Sequence, residues 1–304
     1  QIMSPTSYVY YVNNLSMYDT NTAVADELLQ KYGQMQAMVH AGMSADEIQT
    51  AMQVSIDGKT ERLGVDQSQT FFYTYVMIFA LYMVILLYGQ LVATNVATEK
   101  SSRAMELLIT SANPVSMMFG KVLASCIAGL LQLVVIFGAA LICFNLNTEY
   151  WDNHQIAKAL FDIPASIFVY MLVFFVLGFL LYAFLFGAIG STVSKLEDIN
   201  TAVMPLTFLF VIALIVVVIG LTSGDVNSLM MVICSYVPFT SPMAMFTRIA
   251  MSSVAWWEIA LSIGLLVVSV IGIGVLSAKI YRVGVLLYGT TPKLRNVLKS
   301  VWKA

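Results

Sequence analysis

Charge is scarce in this sequence. Lys, Arg, Asp and Glu make up 11% of its 304 residues, against roughly 25% in soluble domains. With 15 basic and 17 acidic residues, no strongly basic patch points to nucleic acid. Cysteine is rare too. Cys126, Cys143 and Cys234 sit far apart in apolar runs, which excludes a CxxC pair or a zinc spacing and leaves three small hydrophobes. The two histidines, His40 and His154, are also far apart. No HExxH, GxSxG or paired-carboxylate helix occurs, which argues against an intramembrane enzyme. Gly58-Lys59-Thr60 matches the end of a phosphate loop, but Gln53 stands where that motif needs its first glycine. The fragment is therefore no nucleotide site, and ATP hydrolysis by that route would need a partner. The sequence begins at Gln1, not Met, and its first residues show no n-region or h-region of a signal peptide.

Apolar residues are what the sequence has in excess, at 59%. They gather into five runs, Phe71–Thr94, Val115–Phe144, Ile163–Gly190, Ala202–Leu221 and Ile259–Ala278. Each reaches the ~20 residues a helix needs to cross the hydrocarbon core. A soluble fold would need five helices that are apolar all round. Lys121 is the only charge inside the runs, near one end, where it is expected to snorkel. The shorter stretch Leu229–Val237 is followed by Pro238, Pro242 and Arg248, a pattern that suits a re-entrant or interfacial helical pair over 225–253 better than a sixth span.

Lys and Arg set the expected orientation. With Glu99–Pro114 inside, ten basic residues fall on the inner side and five outside, namely Lys31, Lys59, Arg62, Lys158 and Arg248. Residues 1–70 are then outside and the C-terminus inside. An outside start without a signal implies a further membrane anchor upstream of this numbering. The outer region, 1–67, reads as small and mixed α/β. Ser7–Val12 is rich in β-formers, Thr22–Ala41 reads as a helix, and Ser44-Ala45-Asp46-Glu47 opens a second helix. Ile56–Leu63 carries Asp57-Gly58, read as a hairpin turn. At the other end, 286–304 forms an amphipathic tail helix starting at Thr291-Pro292, with Leu294, Val297, Leu298, Val301 and Trp302 on one face. It suits either the inner membrane surface or a docking site on a partner.

The spans carry Tyr75, Tyr82, Tyr88, Gln90, Gln132 and Asn200 but no acidic group, whereas ion-coupled transporters place Asp, Glu or His there. Tyr75 and Tyr82 are seven apart and are expected to share a helix face. They serve either as belt and packing residues or, with Phe208, as a pathway for an amphipathic substrate.

The most specific segment is NVATEKSSRAMELLITSANPVSMMFGK, Asn95–Lys121. Glu99 and Arg103 are spaced for an i,i+4 pair. Met105, Leu108, Ile109 and Ala112 form an apolar stripe, and Pro114 ends the helix. A short loop helix over 97–113 follows, resting on the membrane or seated in another protein's groove.

EKSSRxMELLITS…NP…GK, after a span ending YGQLVATNVA, resembles the inner loop of type-2 ABC-transporter permeases, most closely the sodium-export-permease or Nat-type branch. YVPFTSPMAMFTR and AKIYRVGVLLYGTTPKLRNVLK resemble that branch's last outer loop and tail. The resemblance covers about Gln67–Lys299. It implies an all-α polytopic membrane protein with the six-span type-2 exporter permease fold. Five of those spans lie within 68–285, and the first is expected outside this numbering. It also implies a second permease copy, homo- or heterodimeric, and a separate ABC ATPase that binds ATP and Mg; this chain itself carries no cofactor and no metal. The ATPase would seat on the loop helix through Glu99, Arg103, Met105 and Glu106. The competing expectation is a non-transporting membrane sensor or scaffold whose outer region binds a ligand.

Overall fold

A computed structural model of the protein describes residues 2–4, 7–12, 20–41, 57–62, 67–102, 105, 110–147, 150, 161 and 163–286. The N-terminal part is a small mixed unit. Strands β1 (Ile2–Ser4), β2 (Ser7–Val12) and β3 (Asp57–Arg62) form a sheet in the order β1-β2-β3. β1 runs antiparallel to β2, and β3 runs parallel to it, with Ser7 opposite Asp57 and Val12 opposite Arg62. Parallel neighbours need a long crossover, and here it contains helix α1 (Asn21–Ala41). The Tyr8 hydroxyl fixes α1 to β2, donating to Asp26 Oδ1 at 2.9 Å and to the Thr22 carbonyl at 3.1 Å. Asp57-Gly58 therefore opens a strand instead of forming the expected hairpin turn, because the backbone there pairs with β2 and not with its own neighbour. The expected helix from Ser44 lies outside the described residues.

The rest is helical. Among the described residues, five helices are long and apolar enough to cross a membrane: α2 (Gln67–Ser101), α3 (Pro114–Leu146), α4 (Ala165–Thr192), α5 (Ile199–Thr222) and α8 (Trp256–Leu286). All five apolar runs are helical apart from Ile163 and Pro164, and at every other end the helix extends past the run. A hydrophobic run marks the bilayer core, whereas the helix continues while its backbone stays hydrogen-bonded. The starts are set locally. Asn113 accepts from Val115 N at 3.0 Å ahead of Pro114, which sits in the first turn of α3.

Of these five, α4 is the most enclosed and packs between α2 and α8, and α3 is the most exposed. Large aromatics fill the centre, with Phe174, Phe175, Phe179, Tyr182, Phe186 and Phe210 fully buried. Between α5 and α8 lie two short helices, α6 (Leu229–Tyr236) and α7 (Ser241–Met251), joined by a tight turn in which Ser241 N donates to the Val237 carbonyl at 2.7 Å. The helical pair expected from the prolines is thus present. α7 is buried on nearly every side and packs on α2, α4, α5, α6 and α8. Tyr182 of α4 donates to the Phe239 carbonyl in the turn at 2.7 Å. Pro242 lies so close to Gly178 that a β-carbon there would meet it at 2.8 Å.

Candidate functional site

At one end of the bundle α2 ends and α3 begins, and between them Met105, Thr110 and Ser111 are helical. α2 extends through Ser101, so residues 97–101 of the expected loop helix belong to the spanning helix. Its last turn is held by side chains: Thr98 Oγ1 donates to the Thr94 carbonyl at 2.8 Å and Ser101 Oγ to the Thr98 carbonyl at 3.0 Å. Ser102 Oγ donates to the Glu99 carbonyl at 3.0 Å. The bond to Thr98 satisfies a carbonyl that the helix end leaves open.

Three further contacts tie this junction to the bundle. Glu99 is ion-paired with Lys121 on α3. Lys121 thus reaches the end of α2, where a carboxylate on the neighbouring helix meets it. Lys100, almost fully buried, donates from Nζ to the Ser191 carbonyl at the end of α4 at 2.6 Å. A buried ammonium persists only with such acceptors, and the carbonyls at a helix C-terminus also carry the negative end of its dipole. Met105 is buried in the core cluster with Met118 and Val122. Its side chain faces the chain's own interior and roots the loop there. Arg103 and Glu106 lie outside the described residues.

Packing here is backbone-tight. A β-carbon on Gly190 would meet the Ala93 carbonyl oxygen at 2.5 Å, and one on Gly284 would meet Ser191 Oγ at 2.5 Å and its carbonyl at 2.8 Å. Helices α2, α4 and α8 thus touch through their main chains at this end. Tyr281 of α8 lies within Coulombic range of Glu99. Its hydroxyl and Glu99 Oε2 are buried without a hydrogen-bond partner among the described residues.

The three expected pathway residues do not come together. Tyr75 is 45% exposed and lines a shallow cleft between α2 and α5 with Phe79, Leu214 and Val218. Tyr82 is only 8% exposed and stacks on Phe210 at 5.2 Å between ring centroids. Phe208 is 57% exposed on the outside of α5. Seven residues drift by about 20° on an α-helix, and α5 then covers one tyrosine and leaves the other open.

A second polar cluster lies across α6, α7 and the start of α8. Arg248 is 5% exposed. It donates from Nη2 to Glu258 Oε2 at 2.8 Å, from Nη1 to Ser235 Oγ at 2.9 Å and from Nε to Asn227 Oδ1 at 3.2 Å. Tyr236 donates to the same Glu258 oxygen at 3.1 Å. Burial, followed by that hydrogen bond and the charge of Glu258, raises the Tyr236 phenol above its ordinary value. Sequence reasoning placed Arg248 but not its partner. The signal for Glu258 was a lone acid opening a long apolar run.

These features define a polytopic helical membrane protein whose charged side chains pair at the helix ends. The family model "ABC-2 family transporter protein" matches residues 2–279, and the chain belongs to that family. It is 34% identical over 235 residues to the uncharacterized protein YhaP of Bacillus subtilis, covering 77% of this chain and 56% of the relative. It is 30% identical over 226 residues to the uncharacterized protein MJ1024 of Methanocaldococcus jannaschii, covering 74% and 53%. The chain thus spans just over half the length of these relatives. No solved structure matches it.

Proposed function

We propose that this chain is the permease of an ATP-driven exporter of the Nat-type branch, moving an amphipathic substrate outward across the cell membrane. Two permease copies, homo- or heterodimeric, form the path, and a separate ABC ATPase carrying ATP and Mg seats on the loop around 97–113. Residues 1–70 lie outside and the C-terminus lies in the cytoplasm, with α6 and α7 forming a re-entrant pair.

One observation supports this reading above the others. The last turn of α2 is tied to α3 by Glu99–Lys121 and to α4 by Lys100–Ser191, and Met105 just beyond it is buried in the core, so a push delivered here reaches α2, α3 and α4 together. Coupling needs an element that both sites bias, and these contacts make the loop and three helices one mechanical unit. Arg103 and Glu106 remain the proposed ATPase contacts; Glu99 and Met105 act by holding the loop. Tyr75 and Phe208, both exposed, are the proposed pathway or second-copy face, while Tyr82 packs inside.

The test is a charge swap in the full-length permease, purified with its co-expressed ATPase. Glu99→Lys places two ammonium groups together and is expected to uncouple substrate-stimulated ATP hydrolysis. Glu99→Lys/Lys121→Glu restores the pair and is expected to recover most of the stimulation. Full stimulation in the single variant, or no ATPase in the purified complex, overturns the assignment. Stimulation by ions alone, with none by hydrophobic drugs, peptides or lipids, overturns the substrate class.

A further inference from the structure

Helices α3 and α8 part at the Lys121 end and leave a groove of about 480 Å³. Val115 and Phe119 of α3 line one wall, and Val275, Ala278 and Val283 of α8 the other. The volume lies in the range of small-molecule sites, ~300–1,000 Å³. Lys279 and Arg282 also line it, one helical turn apart on α8 and both exposed. Neither has a salt-bridge partner among the described residues. Among the described residues, the acids at this end are engaged or elsewhere. Glu99 is taken by Lys121, and Glu197 and Asp198 lie on a 3-10 turn that packs on α2 and α5. The groove is therefore apolar along its walls and cationic at its edge. The first turn of α3, which contributes Val115, adds the positive end of a helix dipole.

We propose that this groove holds one anionic diacyl phospholipid, with an acyl chain between α3 and α8 and its phosphate on Lys279 and Arg282. The chemistry selects this occupant. An apolar slot alone would take any lipid tail, and two cations alone would take any anion. Only a molecule with a chain and a negative headgroup satisfies both walls and edge, and basic pockets between spanning helices suit such headgroups. The site is separate from the loop proposed to couple to an ATPase, and it rests only on the membrane-crossing character of the chain.

The experiment is native mass spectrometry of the full-length protein in detergent, with dioleoyl phosphatidylglycerol or dioleoyl phosphatidylcholine added. Retention of phosphatidylglycerol over phosphatidylcholine is expected. Lys279→Gln/Arg282→Gln is expected to weaken it by roughly 30-fold, about fivefold for each juxtamembrane cation. Lys195→Gln, removing an exposed lysine away from the groove, leaves it unchanged. Val275→Trp, which fills the slot and keeps both cations, also displaces the lipid. Thermal midpoints of the variants serve as the folding control. Equal retention of both lipids overturns the proposal, as does full retention by the double glutamine variant or by Val275→Trp. Displacement by soluble glycerol phosphate alone would also overturn it, because that marks an anion site with no chain.

Discussion

The Arg248–Glu258 pair makes a quantitative prediction about what holds α6 and α7 to α8. Arg248 spends its guanidinium on Glu258, Ser235 and Asn227, and the pair's side chains are 6% and 20% exposed. Glu258→Gln preserves the shape and an oxygen for Tyr236 but leaves an uncompensated cation. Removing one partner of a buried pair costs about 3–5 kcal/mol. The residual exposure of Glu258 places the expected loss near the lower end, about 3 kcal/mol. Arg248→Met costs at least as much, because it also strips donors from Ser235 and Asn227, about 1 kcal/mol each. The double variant Arg248→Met/Glu258→Gln has no unpaired charge and is expected to lose less than the sum of the two. The assay is thermal unfolding in detergent followed by a thiol-reactive fluorophore, since Cys126 is buried and Cys234 half-buried. Losses that add to within ~0.5 kcal/mol, as for independent sites, would refute the reasoning.

Three other perturbations follow from the same geometry. Gly190→Ala drives a methyl into the Ala93 backbone and is expected to cost ~3 kcal/mol or abolish folding. Gly138→Ala, with open space around it, should stabilise by ~0.5–1 kcal/mol; paired melting curves separate the two. Tyr82→Ala empties a buried stack and should cost about 3–5 kcal/mol, whereas Tyr75→Ala on the exposed cleft should stay within ~0.5 kcal/mol. The raised Tyr236 phenol contributes stability that is present below the ordinary tyrosine pKa, about 10, and is lost as pH rises through its higher folded value. Melting temperature should therefore fall more steeply above about pH 10 in the wild type than in Tyr236→Phe.

Hydropathy alone marked the five spans, because a bilayer tolerates few other ways to use such runs. It could not mark their ends, since α2 continues past Thr94 to Ser101 on hydrogen bonds that polar residues make equally well. Partners were the harder part. Lys121 was visible as a lone charge, but its pairing with Glu99 depends on α2 and α3 lying side by side, which no local pattern encodes. The same holds for Arg248 and Glu258. Asp57-Gly58 misled for a related reason: the dipeptide favours a turn, while pairing with β2 across a long crossover decided the matter. Burial of Met105 was legible only as membership in an apolar stripe, and which body that stripe faced was not. The seven-residue spacing puts Tyr75 and Tyr82 both toward α5, Tyr75 on the cleft and Tyr82 against Phe210, but how deeply α5 covers each is not contained in the spacing of residues within α2.

The glycine contacts at the Glu99 end give α4 a fulcrum. Gly190 bears on Ala93 and Ser191 on Gly284, both at the last turn of a helix that starts at Ala165. At 1.5 Å per residue, the arm from that contact to the other end of α4 is about 38 Å. Rocking by about 5° about the fulcrum carries the far end roughly 3 Å while the tight end scarcely moves. The aromatic side chains around Tyr182 and Phe210, which can slide and re-pack where main chains cannot, lie along the part of the arm that sweeps.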